Sequence, residues 1–144
     1  EIKSIRTEIN NITRNNNSVV SAISKNVIKY AEELGLGNKE TIPASYLFTS
    51  NLKELSGAVL HKTAFAFRLA YITVIEDTLK IKLPIILDSP SGKEVDQANI
   101  KLMMDILKRD FADHQIIIAS IFNYDFDEAK IIEIKERLIT ENSL

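Results

Sequence analysis

Asp88 closes the apolar run Pro84-Ile85-Ile86-Leu87 and opens the turn Ser89-Pro90-Ser91-Gly92. A carboxylate at the end of a buried strand is held rigid by the sheet behind it and can be delivered to a magnesium–phosphate site. Ligands of open α/β sheets bind at the carboxyl ends of the parallel strands, which is where this residue would stand. Strand ends also carry Asp as a turn former or helix cap, so Asp88 by itself decides little. A second feature lies upstream, where Ser56 and Gly57 precede the apolar segment 58–79. A helix N-terminus offers free N–H groups and a positive dipole end to a phosphate, glycine lets the backbone approach, and a serine hydroxyl adds a donor. The plainer reading of Ser56 alone is a helix N-cap.

Other reactive side chains are more scattered. His61 falls inside the apolar segment, has no second histidine at ligand spacing, and reads as a core or interface residue. His114 precedes an apolar run and reads as a turn residue or, less readily, a phosphate contact. Asp125, Asp127 and Glu128 suit a solvated loop better than a metal site, although they follow a strand end and so remain candidates for a general base. Lys80 and Lys82 bracket Ile81 in a turn and point to nothing specific. The sequence has no cysteine, which excludes disulfides, thiolate metal sites and cysteine nucleophiles together and suits the cytosol.

These residues need elements to position them. "PIILD" (84–88) and "QIIIASI" (115–121) are apolar without alternation, as parallel strands covered on both faces are. Between them, residues 97–111 have helical periodicity with Ile100, Met103, Met104, Ile106, Leu107 and Phe111 inward and Asp96 as the cap. Strand, helix and strand in that order make a parallel βαβ unit. The segment 58–79 is a helix apolar nearly all round, expected to be buried on more than one side. "ASYLFTS" (44–50) is a short strand candidate, and 130–139 reads as a strand or a short helix.

The first thirty residues carry a different pattern. Ile2, Ile5, Ile9 and Ile12 are spaced three and four apart, and Asn16, Val19, Ile23, Asn26 and Tyr30 continue the register of a coiled-coil seam. Beyond Val19 an ordinary amphipathic helix fits equally well. Asn16 either fixes the pairing register or marks a break, and the helix should end near Gly35 and Gly37.

With 144 residues the chain fits one core rather than two, and a net charge of −2 gives no basic signature for nucleic acid. No uninterrupted apolar run approaches the roughly 20 residues that cross a bilayer, so no membrane role is expected. "EIKSIRTEIN" lacks an initiator Met and the apolar core of a signal peptide, which points to a piece of something longer.

Taken together, "LSG" (55–57) opening a helix, then the strand ending in Asp88, then Ser91-Gly92 with Asp96, resembles the C-terminal half of an ABC-type ATPase head. The signature motif, the Walker B strand and the D-loop stand in family order, and the preceding heptad helix is similar to the SMC-like branch. The resemblance spans nearly the whole chain. It implies an α/β fold, a parallel-sheet βαβ core at 34–144, preceded at 1–33 by the returning end of a coiled coil. It implies that Asp88 helps to hold Mg2+ and that Ser56 and Gly57 touch ATP bound on the opposite head of a homodimer. Ser91, Gly92 and Asp96 would belong to the D-loop. The implied partners are an antiparallel coiled-coil helix, a Walker A-bearing N-terminal lobe and, by association, DNA, in chromosome maintenance, repair or phage defence in the cytoplasm.

The chain departs from the family pattern in four places. Ala58 and Val59 follow "LSG" instead of the usual Gly-Gln. Ser89 occupies the position of the catalytic glutamate, and serine cannot act as a general base at neutral pH. Ile121 and Phe122 stand where the switch histidine should follow the second strand. Neither Gly92-Lys93-Glu94 nor "GNKET" (37–41) meets the spacing of a phosphate-cradling Walker A loop. Three readings follow: a hydrolase half completed by a Walker A lobe, with Glu94 or another carboxylate moving the proton; an ATP-gated clamp with little hydrolysis; and a non-enzymatic α/β module that pairs through its N-terminal helix.

Overall fold

The computed structural model describes residues 2, 4–5, 8–9, 11–12, 17–37, 55, 57–90 and 95–135. Besides helical residues near the N-terminus, they include the helices α1 (Ser18–Glu33), α2 (Gly57–Leu79) and α3 (Gln97–Asp110) and the strands β1 (Ile85–Asp88) and β2 (Ile116–Ala119). The strands pair in parallel, Ile85 against Ile116 through Asp88 against Ala119, with α3 as the crossover. The chain is therefore a mixed α/β structure with a small parallel βαβ sheet. The strand candidate at 44–50 lies outside the described residues.

The heptad pattern is divided rather than continuous. Residues 2, 4, 5, 8, 9, 11 and 12 are helical, and Ile2, Ile5, Ile9 and Ile12 are all exposed. Asn17 then adopts an extended conformation and caps α1, its side-chain oxygen accepting from the N–H groups of Val19 and Val20 at 3.0 and 3.2 Å. Asn16, read as a register-fixing residue or a break, lies outside the described residues; the described helix starts after Asn17. From there the helix is amphipathic: Ile23, Val27, Tyr30 and Ala31 are buried, and α1 packs along α2. It ends as "GLG" should. Gly35 takes φ 74°, its N–H bonding to Glu32 O and that of Leu36 to Ala31 O, a Schellman cap closed by the buried Leu36.

Helix α2 is buried along two stripes, Thr63, Ala66, Phe67, Ala70 and Val74 on one and Phe65 and Leu69 on the other. By length and composition alone it is long and apolar enough to cross a bilayer, its most apolar 18-residue window having a mean hydropathy of 1.3, although no uninterrupted apolar run in it is that long. Lys62, Arg68 and Glu76 interrupt the apolar sequence, and its buried stripes place it in the core beside α1. Tyr30 joins the two helices by a hydrogen bond as well. The Thr73 hydroxyl donates to Leu69 O at 2.9 Å, so the 3.1 Å contact between Tyr30 and Thr73 must be donated by Tyr30.

Helix α3 follows its sequence pattern closely: Ile100, Met103, Met104, Ile106 and Leu107 are buried, and Asp96 caps it. The strands do not match expectation. Ile85 and Leu87 are buried and Ile116 and Ile118 pack against the core, but Ile86 is 66% exposed and Ile117 47%. The expected sheet, covered on both faces, is covered on one. Among the described residues its two strands have helices on one side only, so an apolar run that would suit two layers meets a single one. Beyond β2, residues 130–135 are neither strand nor helix and leave Ile131, Ile132 and Ile134 exposed.

Candidate functional site

Asp88 is the last residue of β1, exposed at the carboxyl end of the parallel pair, as the sequence requires of a ligand-holding carboxylate. Immediately after it the backbone turns into an uncommon conformation. Ser89 has φ 50°, a left-handed value that a residue with a Cβ adopts at a cost of about 1 kcal/mol or more. Two hydrogen bonds hold it there. Its N–H donates to Ala119 O at 2.9 Å, adding one rung beyond the Asp88–Ala119 pair. Its hydroxyl donates to Asp88 Oδ1 at 3.0 Å.

The neighbouring strand ends on a hydroxyl as well. Ser120 Oγ donates to Tyr124 Oη at 3.0 Å and accepts from the Phe122 N–H at 3.0 Å, folding the chain back over the end of β2. Phe126, under the Lys108 ammonium at 5.1 Å, and Tyr124 then pack against the core. Ile121 and Phe122, 90% and 50% exposed, project from the same end. Sequence reading noted this pair only for the absence of a histidine. The roles of Ser120 and Tyr124 were missed, because no spacing rule marks a serine that follows a strand.

Gly57 begins α2 at φ 57°, a conformation that explains glycine at this position without appeal to a ligand. Space remains around it, since a Cβ there would meet nothing within 4 Å. Asp96 is committed to α3, its Oδ1 accepting from Asn99 N and its Oδ2 from Asn99 Nδ2, both at 2.8 Å. Ser56, Ser91, Gly92 and Glu94 lie outside the described residues. Asp125, Asp127 and Glu128 are exposed, with Asp125 and Glu128 at positive φ. Among the described residues no group of three or more Asp, Glu, His or Cys side chains could hold a metal ion. A magnesium ion does not need one: it keeps several waters and is commonly bound through one or two carboxylates together with substrate phosphates. Asp88, a hard oxygen donor at an open strand end, suits that role, and its Oδ2 takes no part in the bond to Ser89.

The opposite end of the sheet is closed. His114, read as a turn residue or a phosphate contact, does lie in the turn before β2, its N–H donating to Phe111 O at 3.0 Å, but its side chain is only 2% exposed. Its Nδ1 donates to Leu83 O and its Nε2 meets Glu76 Oε2, both at 2.9 Å, while its ring lies edge-on to Phe111. A histidine so engaged has no donor left for a phosphate. His61, read as a core or interface residue, is not in the core: it is exposed on α2, in the sector between that helix's buried stripes. Beside His114, Lys82 reaches Asp113 at 3.0 Å and lowers the pKa of that carboxyl. Arg109 bonds Asp110 and Glu33, each at 2.6 Å, and Lys29 bonds Asp110 at 3.0 Å. Hydrogen bonds from Arg109 and then Lys29 hold Asp110 well below the usual carboxylate range, and Asp110 raises Arg109 and Lys29 in return. A polar cleft of about 240 Å3 lies among these residues, but the charges lining it are neutralised by one another.

No family model, curated protein or solved structure matches the chain.

Proposed function

We propose that the chain is the C-terminal lobe of an SMC-like, ABC-type ATPase head, which binds and hydrolyses ATP at a head dimer interface once a Walker A-bearing N-terminal lobe completes it. The observation that carries this reading is Asp88, exposed at the carboxyl end of a parallel βαβ strand that is anchored in the core through Ile85 and Leu87. Two further features support it. The outer face of the sheet, with Ile86 and Ile117, is apolar and uncovered, as a face awaiting a second lobe would be. The exposed stripe Ile2, Ile5, Ile9 and Ile12 suits an antiparallel coiled-coil partner.

In this role Asp88 would hold Mg2+ on the nucleotide phosphates, where the ion neutralises charge developing during phosphoryl transfer. Gly57, with Ser56 before it, would meet the γ-phosphate from the opposite head at the start of α2. Ser91, Gly92 and Asp96 would line the crossing between heads, and the whole would act in the cytoplasm on DNA or in defence. The test is ATP turnover by the full-length parent protein. Asp88→Ala should reduce turnover at least 100-fold (on the order of 3 kcal/mol in the barrier), and unchanged turnover would exclude the assignment.

One observation favours a second reading, an ATP-gated clamp with little hydrolysis. The Ser89 hydroxyl, at the position where a general base is expected, is spent as a donor on Asp88. Under that reading ATP drives association of the heads, yet a single-turnover assay releases no phosphate; prompt release would return the assignment to the hydrolase.

A further inference from the structure

Ser89 stands where a base would be sought, and its geometry gives it different work. An exposed aspartate is free to rotate about its terminal torsion, which is broad and roughly two-fold rather than fixed in staggered wells. Magnesium demands oxygen ligands at about 2.0–2.1 Å in near-ideal octahedral geometry, so a rotating carboxylate binds it poorly. At the end of β1 that rotation is opposed by one hydrogen bond, from Ser89 Oγ to Asp88 Oδ1 at 3.0 Å.

The bond depends on the turn. At φ 50° the chain doubles back so that the side chain of Ser89 returns toward that of its predecessor, and the Ser89 N–H to Ala119 O bond of 2.9 Å fixes this turn to the neighbouring strand. A glutamate at position 89 would have no proton to give at neutral pH and would repel the Asp88 carboxylate. Serine, in contrast, is neutral and donates. Its proton faces Asp88, and a serine hydroxyl is too weak a base to take a proton from water at neutral pH.

We infer that Ser89 is the positioning residue for Asp88, tying Oδ1 by its hydroxyl and presenting Oδ2 to a divalent cation. The inference rests on the reading of Asp88 as a Mg2+ ligand and adds to it a residue that acts on the cation through Asp88. Groups that orient a metal ligand from behind are worth roughly 10–100-fold in metal affinity when removed.

The test uses the full-length parent protein with a non-hydrolysable ATP analogue and Mn2+ as the probe, with binding followed by the electron paramagnetic resonance of free Mn2+. Asp88→Ala should weaken Mn2+ binding more than about 100-fold and Ser89→Ala about tenfold. Ser89→Gly removes the hydroxyl while relieving the left-handed backbone, and should weaken binding as much as alanine does. Ser89→Asn tolerates positive φ and carries an N–H donor; it should restore affinity to within about threefold of the wild type. If Asp88→Ala loses the ion while Ser89→Ala and Ser89→Gly keep wild-type affinity, the positioning role is overturned and the metal site stands. Loss in Ser89→Ala with no recovery in Ser89→Asn also overturns it. If Asp88→Ala binds Mn2+ normally, the reading of Asp88 fails and the role of Ser89 falls with it.

Discussion

Where the chain enters β1 and β2, His114 is buried between the Leu83 carbonyl and Glu76, Lys82 lies on Asp113, and Arg109 and Lys29 hold Glu33 and Asp110. Where the chain leaves them, Asp88 and Ser89 face solvent, and Ile121 and Phe122 are uncovered. One end ties α1, α2 and α3 to the loops that feed the strands. The other spends its few hydrogen bonds on the orientation of one carboxylate and on a turn. Polar groups at the first end are satisfied within the chain, so they serve the fold. At the second they are presented outward, which is the arrangement a binding site requires and a core does not.

The sharpest way to break this contrast is to truncate one residue at each end. Phe111 is buried between the rings of Tyr30 and His114, at centroid distances of 6.2 and 5.2 Å. Phe111→Ala leaves a cavity beside a buried histidine and should cost about 3–5 kcal/mol. Asp88→Ala, by comparison, should change stability by no more than about 0.5 kcal/mol, as exposed substitutions do. Urea unfolding midpoints of the two variants check this directly. Comparable losses would show that the strand ends share one structural role.

Acid should loosen the closed end first. The folded-state pKa of Asp110 is depressed by Arg109 and Lys29, so its stabilising contribution is present above the ordinary aspartate value near 4 and is lost as pH falls through the depressed value. Arg109 is the sequence neighbour of Asp110 and can meet it in the unfolded chain too. The part specific to folding comes through Lys29, across from α1, with Arg109 bound to Glu33 on the same helix. Denaturation midpoints should therefore fall below about pH 4. Asp110→Asn should flatten that fall while lowering stability at pH 7, and an unaltered acid limb would assign the sensitivity to other carboxylates.

Much of this was legible in the sequence, and what was not has physical causes. The inward face of α3, its Asp96 cap and the Gly35 stop of α1 are local, set by side-chain period and backbone conformation, and the structure matches them. The strands were legible in position and direction but not in cover, because apolarity without alternation says what a strand can bury against and not whether a second layer is present. The turn at His114 was legible but the burial of its ring was not, since its partners Glu76 and Leu83 come from a distant helix and a loop carbonyl. Which of core and interface suits His61 was not legible, because a helix apolar nearly all round gives no sign of which sector faces out. The placement of Asp88 at a strand end was legible, whereas the contact from the Ser89 hydroxyl depends on a positive φ that nothing in "LDSPSG" declares. Ser56, Ser91, Gly92 and Glu94 lie outside the described residues.

The smallest effect expected within the chain is also the one that reports on its surroundings. Ile86 lies on the uncovered face of β1, and threonine there keeps the β-branch that suits a strand while removing apolar surface. With 66% of the residue already in water, Ile86→Thr should cost the chain no more than about 0.5 kcal/mol. In the parent protein the same substitution would fall under a second lobe if the proposed head is right. There it would remove buried apolar area and strand a hydroxyl against it, at about 1–3 kcal/mol. The quantity of interest is the difference between the two measurements. A difference near zero would mean that β1 faces water in the parent as well, which would remove the second lobe from this face and with it the completed nucleotide site. A difference of a kilocalorie or more would locate the missing layer on the open side of the sheet, the side its continuous apolar sequence calls for.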